Sequence, residues 1–241
     1  MSKKVIIELK NISKKYPKKD VLKDVSKVIY EGDRIAVVGP NGAGKSTISE
    51  IVMLVKKPTS GEVIYSDPDI RTGIQFQDSN YPEGVKVKDI LYYYMDTYGI
   101  DKNDESTNNL IDYFELREFY KTAINSLSGG QKQRLNILLS IIHDPEIVLL
   151  DELTTGLDIE AKENMRQVIK DKILDKTKKS LLLVSHSMSE VEDICNRIWV
   201  VAKGTIIYDL SVQEVIKKHK SVDAFMWKVM KELRSENEST R

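Results

Sequence analysis

Only one cysteine, Cys195, occurs in the 241 residues, so no internal disulfide can form. A lone cysteine fits a reducing compartment, and its surroundings read as a helical pattern with the thiol in the core. No apolar run approaches the ~18–20 residues that a membrane span needs. The opening Met1-Ser2-Lys3-Lys4-Val5-Ile6-Ile7-Glu8 alternates into a strand and has no apolar signal-peptide stretch. The chain is therefore expected to be soluble by itself. If it works at a membrane, another chain must supply the membrane part. Neither sign of charge is in excess, with 37 Lys+Arg against 37 Asp+Glu. That balance gives no drive toward a phosphate backbone, so a nucleic-acid partner is not expected. The lysines are dispersed, and Lys3-Lys4, Lys14-Lys15 and Lys18-Lys19 read as a solvated face. Internal repeats and low-complexity linkers are also absent. The length allows one domain with lobes.

Against these absences stands the run Gly39-Pro40-Asn41-Gly42-Ala43-Gly44-Lys45-Ser46-Thr47. It fits G-x-x-x-x-G-K-[ST], a loop that wraps nucleotide phosphates. Glycines let the backbone turn tightly and aim its N–H groups inward. Lys45 is placed to put a cation on the β and γ phosphates, and Ser46 offers a hydroxyl to Mg2+. The following helix adds the positive end of its dipole. The flanks agree: Arg34 to Val38 is a short β-branched run, and Thr47 to Leu54 has helical spacing.

Strands are expected at Val5 to Leu9 and Val21 to Tyr30, with shorter ones at Val63 to Tyr65 and Thr72 to Phe76. From Val87 to His143 the pattern is helical: Ile90 to Tyr98, Asn108 to Phe119 and Gln131 to Ile142. This stretch reads as a helical lobe, about 78–143, inserted into an α/β body. The body resumes with Ile147 to Leu150 and Leu181 to Val184, runs apolar on both faces that suit a mostly parallel central sheet. Ala161 to Leu174 reads as a helix, and Arg197 to Val201 with Thr205 to Tyr208 as a hairpin. The tail from Val212 to Leu233 is amphipathic and helical, with polar, frayed residues from Ser235.

Two further constellations bear on the phosphate loop. Asp151 and Glu152 follow the apolar Ile147-Val148-Leu149-Leu150, at the strand end where α/β sheets bind ligands. Asp151 would hold Mg2+, and Glu152 is placed to orient or deprotonate an attacking water. Such a pair alone is also an ordinary strand end; beside the loop it points to phosphate chemistry. Leu127-Ser128-Gly129-Gly130-Gln131 opens a helix with an N-cap and exposed N–H groups, which makes a second anion site.

With these residues the chain resembles an ATP-binding-cassette (ABC) ATPase, the nucleotide-binding subunit of ABC transporters. Leu127 to Gln131 matches that family's signature. The resemblance covers about Val5 to Leu210, with the motifs in the family's order and spacing. It implies an α/β P-loop NTPase fold with an N-terminal antiparallel β subdomain and an inserted helical subdomain. It also implies one ABC ATPase domain over 1–241, with a core of about 5–210 and a helical tail of about 211–241.

The family pattern assigns roles to further residues. Tyr16 matches the aromatic that stacks on adenine. Gln77 matches the glutamine that contacts Mg2+ and water and links to the membrane partner; Gln75 also ends that strand, but the family's phenylalanine–glutamine pair favours Gln77. Asp158 matches the segment that signals between sites, and His186 the histidine on the γ-phosphate. Leu153 departs from the pattern, since a proline usually follows the catalytic glutamate. That departure removes no chemical group, so an active ATPase is expected.

The resemblance further implies ATP and Mg2+ as ligands and a second ABC ATPase subunit, identical or related. In that arrangement Ser128, Gly129, Gly130 and Gln131 of one subunit close over its partner's ATP. A separate transmembrane permease is implied, with this subunit peripheral on the cytoplasmic face. Ile74 to Pro82 and the tyrosine-rich Leu91-Tyr92-Tyr93-Tyr94 resemble the drug and peptide export group. The chain lacks the long C-terminal regulatory domain of many sugar importers, which leans the same way. The alternative is a soluble ABC ATPase of the iron–sulfur assembly type. A DNA-repair or chromosome-structure head would insert long coiled coils before the signature, and only the helical lobe intervenes here. A non-catalytic regulatory module sits poorly with an intact Glu152 and His186.

Overall fold

Alternating apolar residues make the N-terminal strands one-sided, and continuous apolar runs make the later ones buried on both faces. The computed structural model describes residues 3–75, 80–153, 159–170 and 179–239. In chain order its elements begin with β1 (Val5–Tyr16), β2 (Lys19–Tyr30), β3 (Arg34–Val38), α1 (Lys45–Val52), β4 (Ser60–Tyr65) and β5 (Thr72–Gln75). The helices α2 (Val87–Thr97), α3 (Glu105–Tyr113) and α4 (Gly129–Ile141) follow, with short 3-10 turns at Arg117–Phe119 and Ile124–Ser126. Then come β6 (Ile147–Asp151), α5 (Ile159–Val168), β7 (Ser180–Val184), α6 (Met188–Ile194), β8 (Arg197–Ala202), β9 (Thr205–Ser211), α7 (Val212–His219) and α8 (Val222–Ser239).

The chain divides into two compact units, Met1–Asp69 with Ser180–Arg241, and Ile70–Lys179. In the first, β1 pairs antiparallel with β2 and β4, in the order β2-β1-β4. Ile7, Leu9, Ile12, Leu22, Val25 and Ile29 bury one face of this sheet. A second set of strands has β3 at its centre, parallel to both β7 and β8, with β9 antiparallel on β8. Ile35 to Val38 and Leu181 to Val184 are fully enclosed there. Arg197 joins the strand layers: it donates to Asp33 at 2.6 Å and to Asp209 at 2.7 Å, and Lys27 reaches Asp209 at 2.9 Å. Burial by itself would raise the Asp209 carboxyl, but the bonds from Arg197 and Lys27 outweigh it and hold the group below its ordinary value.

The second unit pairs β5 and β6 in parallel. Its helices bury Val87, Leu91 and Met95 of α2, Ile111 of α3 and Leu135, Ile137 and Leu138 of α4.

Three expectations need correction. The helix expected over Asn108 to Phe119 ends at Tyr113, because Glu115 turns left-handed at φ 54° before a separate 3-10 turn. The single C-terminal helix is two, since Lys220 sits at φ 74° and Ser221 Oγ then accepts from Ala224 N at 3.1 Å as a new cap. Helical structure also continues past Ser235 to Ser239, where Glu236 forms an ion pair with Lys203.

Candidate nucleotide site

The phosphate loop lies in the first unit, between β3 and α1. Gly39 leaves the strand at φ 145°, and a Cβ there would lie 2.1 Å from the Val201 carbonyl oxygen. Gly44 caps α1 at φ 103°, and its Cβ would meet Leu22 Cδ2 and Val21 Cγ1 at 3.1 Å. The loop is thus pressed against β8 on one side and β2 on the other, and only glycine fits at both contacts. Lys45 is 7% exposed, and its Nζ donates to Gly39 O at 3.0 Å and Pro40 O at 3.2 Å. This folds the ammonium back over the loop's own backbone. Ser46 is exposed beside it, and the first turn of α1 carries no acidic residue to offset the helix dipole.

Two neighbours in the same unit frame the loop. Tyr16 and Lys19 face each other across the β1–β2 turn, and Lys19 Nζ donates to Gly42 O at 3.0 Å. That bond ties the tip of the hairpin to the loop. Tyr16 is 40% exposed, with Lys14 Nζ 5.4 Å from its ring centroid. His186 follows β7 in a turn set by Ser185, whose Oγ donates to the buried Glu190 at 2.7 Å and accepts from Ser187 N at 2.9 Å. The imidazole is exposed and shares a cavity of about 670 Å3 with Gly39.

In the second unit β6 ends at Asp151, whose backbone N donates to Gln75 Oε1 at 3.1 Å. Gln75 is 1% exposed, and its buried side-chain oxygen takes this N–H at the end of the strand. Glu152 turns left-handed at φ 56°. The signature residues open α4 as a capping box: Ser128 Oγ accepts from Gln131 N at 3.2 Å, and Gln131 Oε1 accepts from Ser128 N at 2.8 Å. Gly129 has open space where a side chain would stand. The N–H groups of Gly129 and Gly130 belong to the first helical turn, which offers them no internal acceptor. Gln77 and Asp158 lie outside the described residues.

A family model described as ABC transporter matches residues 22–155, from β2 through the acidic pair. The chain belongs to the ABC transporter family. It is an ATP-binding subunit with an ABC ATPase domain. It is 31% identical to the methionine import ATP-binding protein MetN 1 of Bacillus cereus, over 98% of this chain and 75% of that protein. It is also 31% identical to the nickel import system ATP-binding protein NikE of Staphylococcus aureus, over 87% and 92% of the two chains. A dimeric ATP-binding cassette, solved in a post-hydrolysis state bound to ADP and Pi, superposes with a TM-score of 0.74 at 27% identity, over 86% of this chain and 98% of that one. The expected fold holds: α/β, P-loop, with an antiparallel β subdomain and a mostly parallel sheet.

In this ABC ATPase, Leu153 replaces the proline that the family pattern places after the glutamate. Leu153 is fully buried, and Gln133 Nε2 donates to the carbonyls of both Glu152 and Leu153 at 3.1 Å. An apolar anchor and a side-chain clamp therefore hold the turn without proline. Gln133→Ala is expected to lower kcat for ATP by about tenfold and to leave KM within about twofold, since it frees the turn but touches no phosphate. Steady-state phosphate release checks this; an unchanged kcat would remove Gln133 from the account.

Sequence reasoning missed Gln133 and Lys19, the latter read only as part of a solvated face. Among the described residues no cluster of three His, Cys, Asp or Glu could hold a metal. The Ser46 hydroxyl and the Asp151 carboxylate are each, taken singly, a hard oxygen donor of the kind Mg2+ takes. No helix of the described residues is long and apolar enough to cross a membrane.

Proposed function

We propose that this chain hydrolyses ATP to drive a separate transmembrane permease, working on the cytoplasmic face of the membrane as two copies or beside a related subunit. The observation that carries the reading is Lys45: a buried ammonium held on the carbonyls of Gly39 and Pro40, at the head of α1, inside a loop closed by glycine contacts. That arrangement presents one cation, a row of N–H groups and a helix dipole to a phosphate chain.

In this reading Tyr16 stacks on the adenine, and the loop from Gly39 to Thr47 holds the phosphates. Lys45 neutralises the β and γ oxygens. Ser46 and Asp151, with Gln77, would hold Mg2+, which would supply positive charge to offset that of the phosphates. Glu152 takes a proton from the attacking water, and His186 contacts the γ-phosphate as it departs. Catalysis rests on positioned charges and dipoles. Ser128 to Gln131 serve the partner's ATP, and Asp158 signals between the two sites. The γ-phosphate holds the subunits together, and its loss lets them part.

Export is the direction that the Ile74 to Pro82 stretch suggests. The relatives MetN 1 and NikE carry import in their names and lend export no support. They also lend no support to the iron–sulfur assembly alternative, which is not carried further. The test is to purify the tagged chain from its native cell in mild detergent and identify what accompanies it. A polytopic membrane protein is expected; its reconstitution in vesicles, with ATP added on one side, then sets direction. A soluble partner alone would contradict the transporter reading.

A further inference from the structure

The cavity that Gly39 shares with His186 has a wall the family motifs do not mention. Six residues of α8 line it: Asp223, Met226, Trp227, Met230, Lys231 and Arg234. Their spacing of three and four residues makes one stripe along the helix. Val222, Phe225, Met226 and Val229 are buried, which fixes how α8 is turned. The helix runs on past the loop: Leu233 lines a second cavity, of about 380 Å3, with Pro40, Asn41, Gly42 and Ala43. Its far end is tied down by the ion pair of Glu236 with Lys203.

Charge pairing along α8 is uneven. Lys228, off the stripe, pairs with Glu232 at 3.8 Å. On the stripe, Lys231 has no ion pair among the described residues and lies 5.5 Å from the Trp227 ring centroid. The Arg234 side chain likewise makes no hydrogen bond or ion pair among the described residues. Asp223, the carboxylate of the stripe, stands eight residues before Lys231, about 12 Å along the axis. Two cations without an ion pair among the described residues therefore face a cavity walled by the first glycine of the phosphate loop and by His186.

We infer that Lys231 and Arg234 are ligand-binding residues of the nucleotide site that contact the terminal phosphate of a bound nucleoside triphosphate. The inference rests on the reading that ATP occupies the Gly39 to Thr47 loop. A guanidinium and an ammonium at this edge meet the three oxygens of a γ-phosphate, which a diphosphate lacks. The stripe then favours triphosphate over diphosphate and helps release the spent nucleotide.

The test is isothermal titration of the full chain with Mg2+ and either the non-hydrolysable triphosphate AMP-PNP or ADP. The double variant Lys231→Ala, Arg234→Ala is expected to bind AMP-PNP about tenfold more weakly, the loss of charge-assisted contacts that are partly screened by solvent, while ADP affinity stays within about twofold. The charge-keeping variant Lys231→Arg, Arg234→Lys should restore most of the difference. Equal losses for both nucleotides, or none, would overturn the inference. So would unchanged affinities with loss of an ATP-dependent dimer, which would make the stripe a subunit contact. Lys45→Ala separates the two layers of argument. If it abolishes binding and the double variant changes nothing, only this inference fails; if the wild-type chain binds neither nucleotide, the nucleotide reading fails and this inference with it.

Discussion

Glu152→Gln is expected to bind ATP as the wild type does and to hydrolyse it about a thousandfold more slowly, within the range that general-base catalysis supplies. The amide matches the carboxylate in size, so the turn after β6 keeps its left-handed residue and its two bonds from Gln133. What is lost is the basic oxygen. In the proposed role Glu152 acts on the water and not on the nucleotide, so ATP affinity should stay within about twofold. Phosphate release and equilibrium binding on one preparation separate the two effects. Hydrolysis at the wild-type rate would remove Glu152 from its role.

Lys45→Ala should weaken ATP binding by at least about a hundredfold, roughly 2.7 kcal/mol. Lys45 is 7% exposed, so in the proposed role its charge is poorly screened and a contact with phosphate would be strong. Alanine also leaves the carbonyls of Gly39 and Pro40 without their donor, which loosens the loop. The close approaches at Gly39 and Gly44 do not involve the Lys45 side chain and survive the change, so the fold should hold. A thermal melt near that of the wild type, together with lost binding, is the expected pair of results. Unchanged nucleotide affinity would sink the phosphate-loop reading.

What the sequence reveals here, and what it hides, follows from the reach of each interaction. The loop, the acidic pair and the capped start of α4 are local patterns, legible because neighbouring residues make them. The bond from Lys19 to Gly42 spans 23 residues, and in the sequence Lys19 is one lysine of a polar pair. The clamp by Gln133 spans 19 and 20 residues and lies inside a helix with no marker of its own. Leu153 shows as a departure from a family pattern, but its burial shows only in the fold. The amphipathic rhythm of the tail carries straight through Lys220, because a left-handed residue in a polar position leaves periodicity untouched. The stripe of α8 beside Gly39 joins residues nearly 200 positions apart, which no local reading could bring together.

The central claim is that ATP, held by this chain, joins two subunits and that hydrolysis parts them. Sedimentation velocity of Glu152→Gln with ATP, with ADP and without nucleotide tests it most directly. The account predicts a dimer with ATP alone and a monomer in the other two conditions. A chain that stays monomeric with ATP bound, or is equally dimeric in all three, would contradict it.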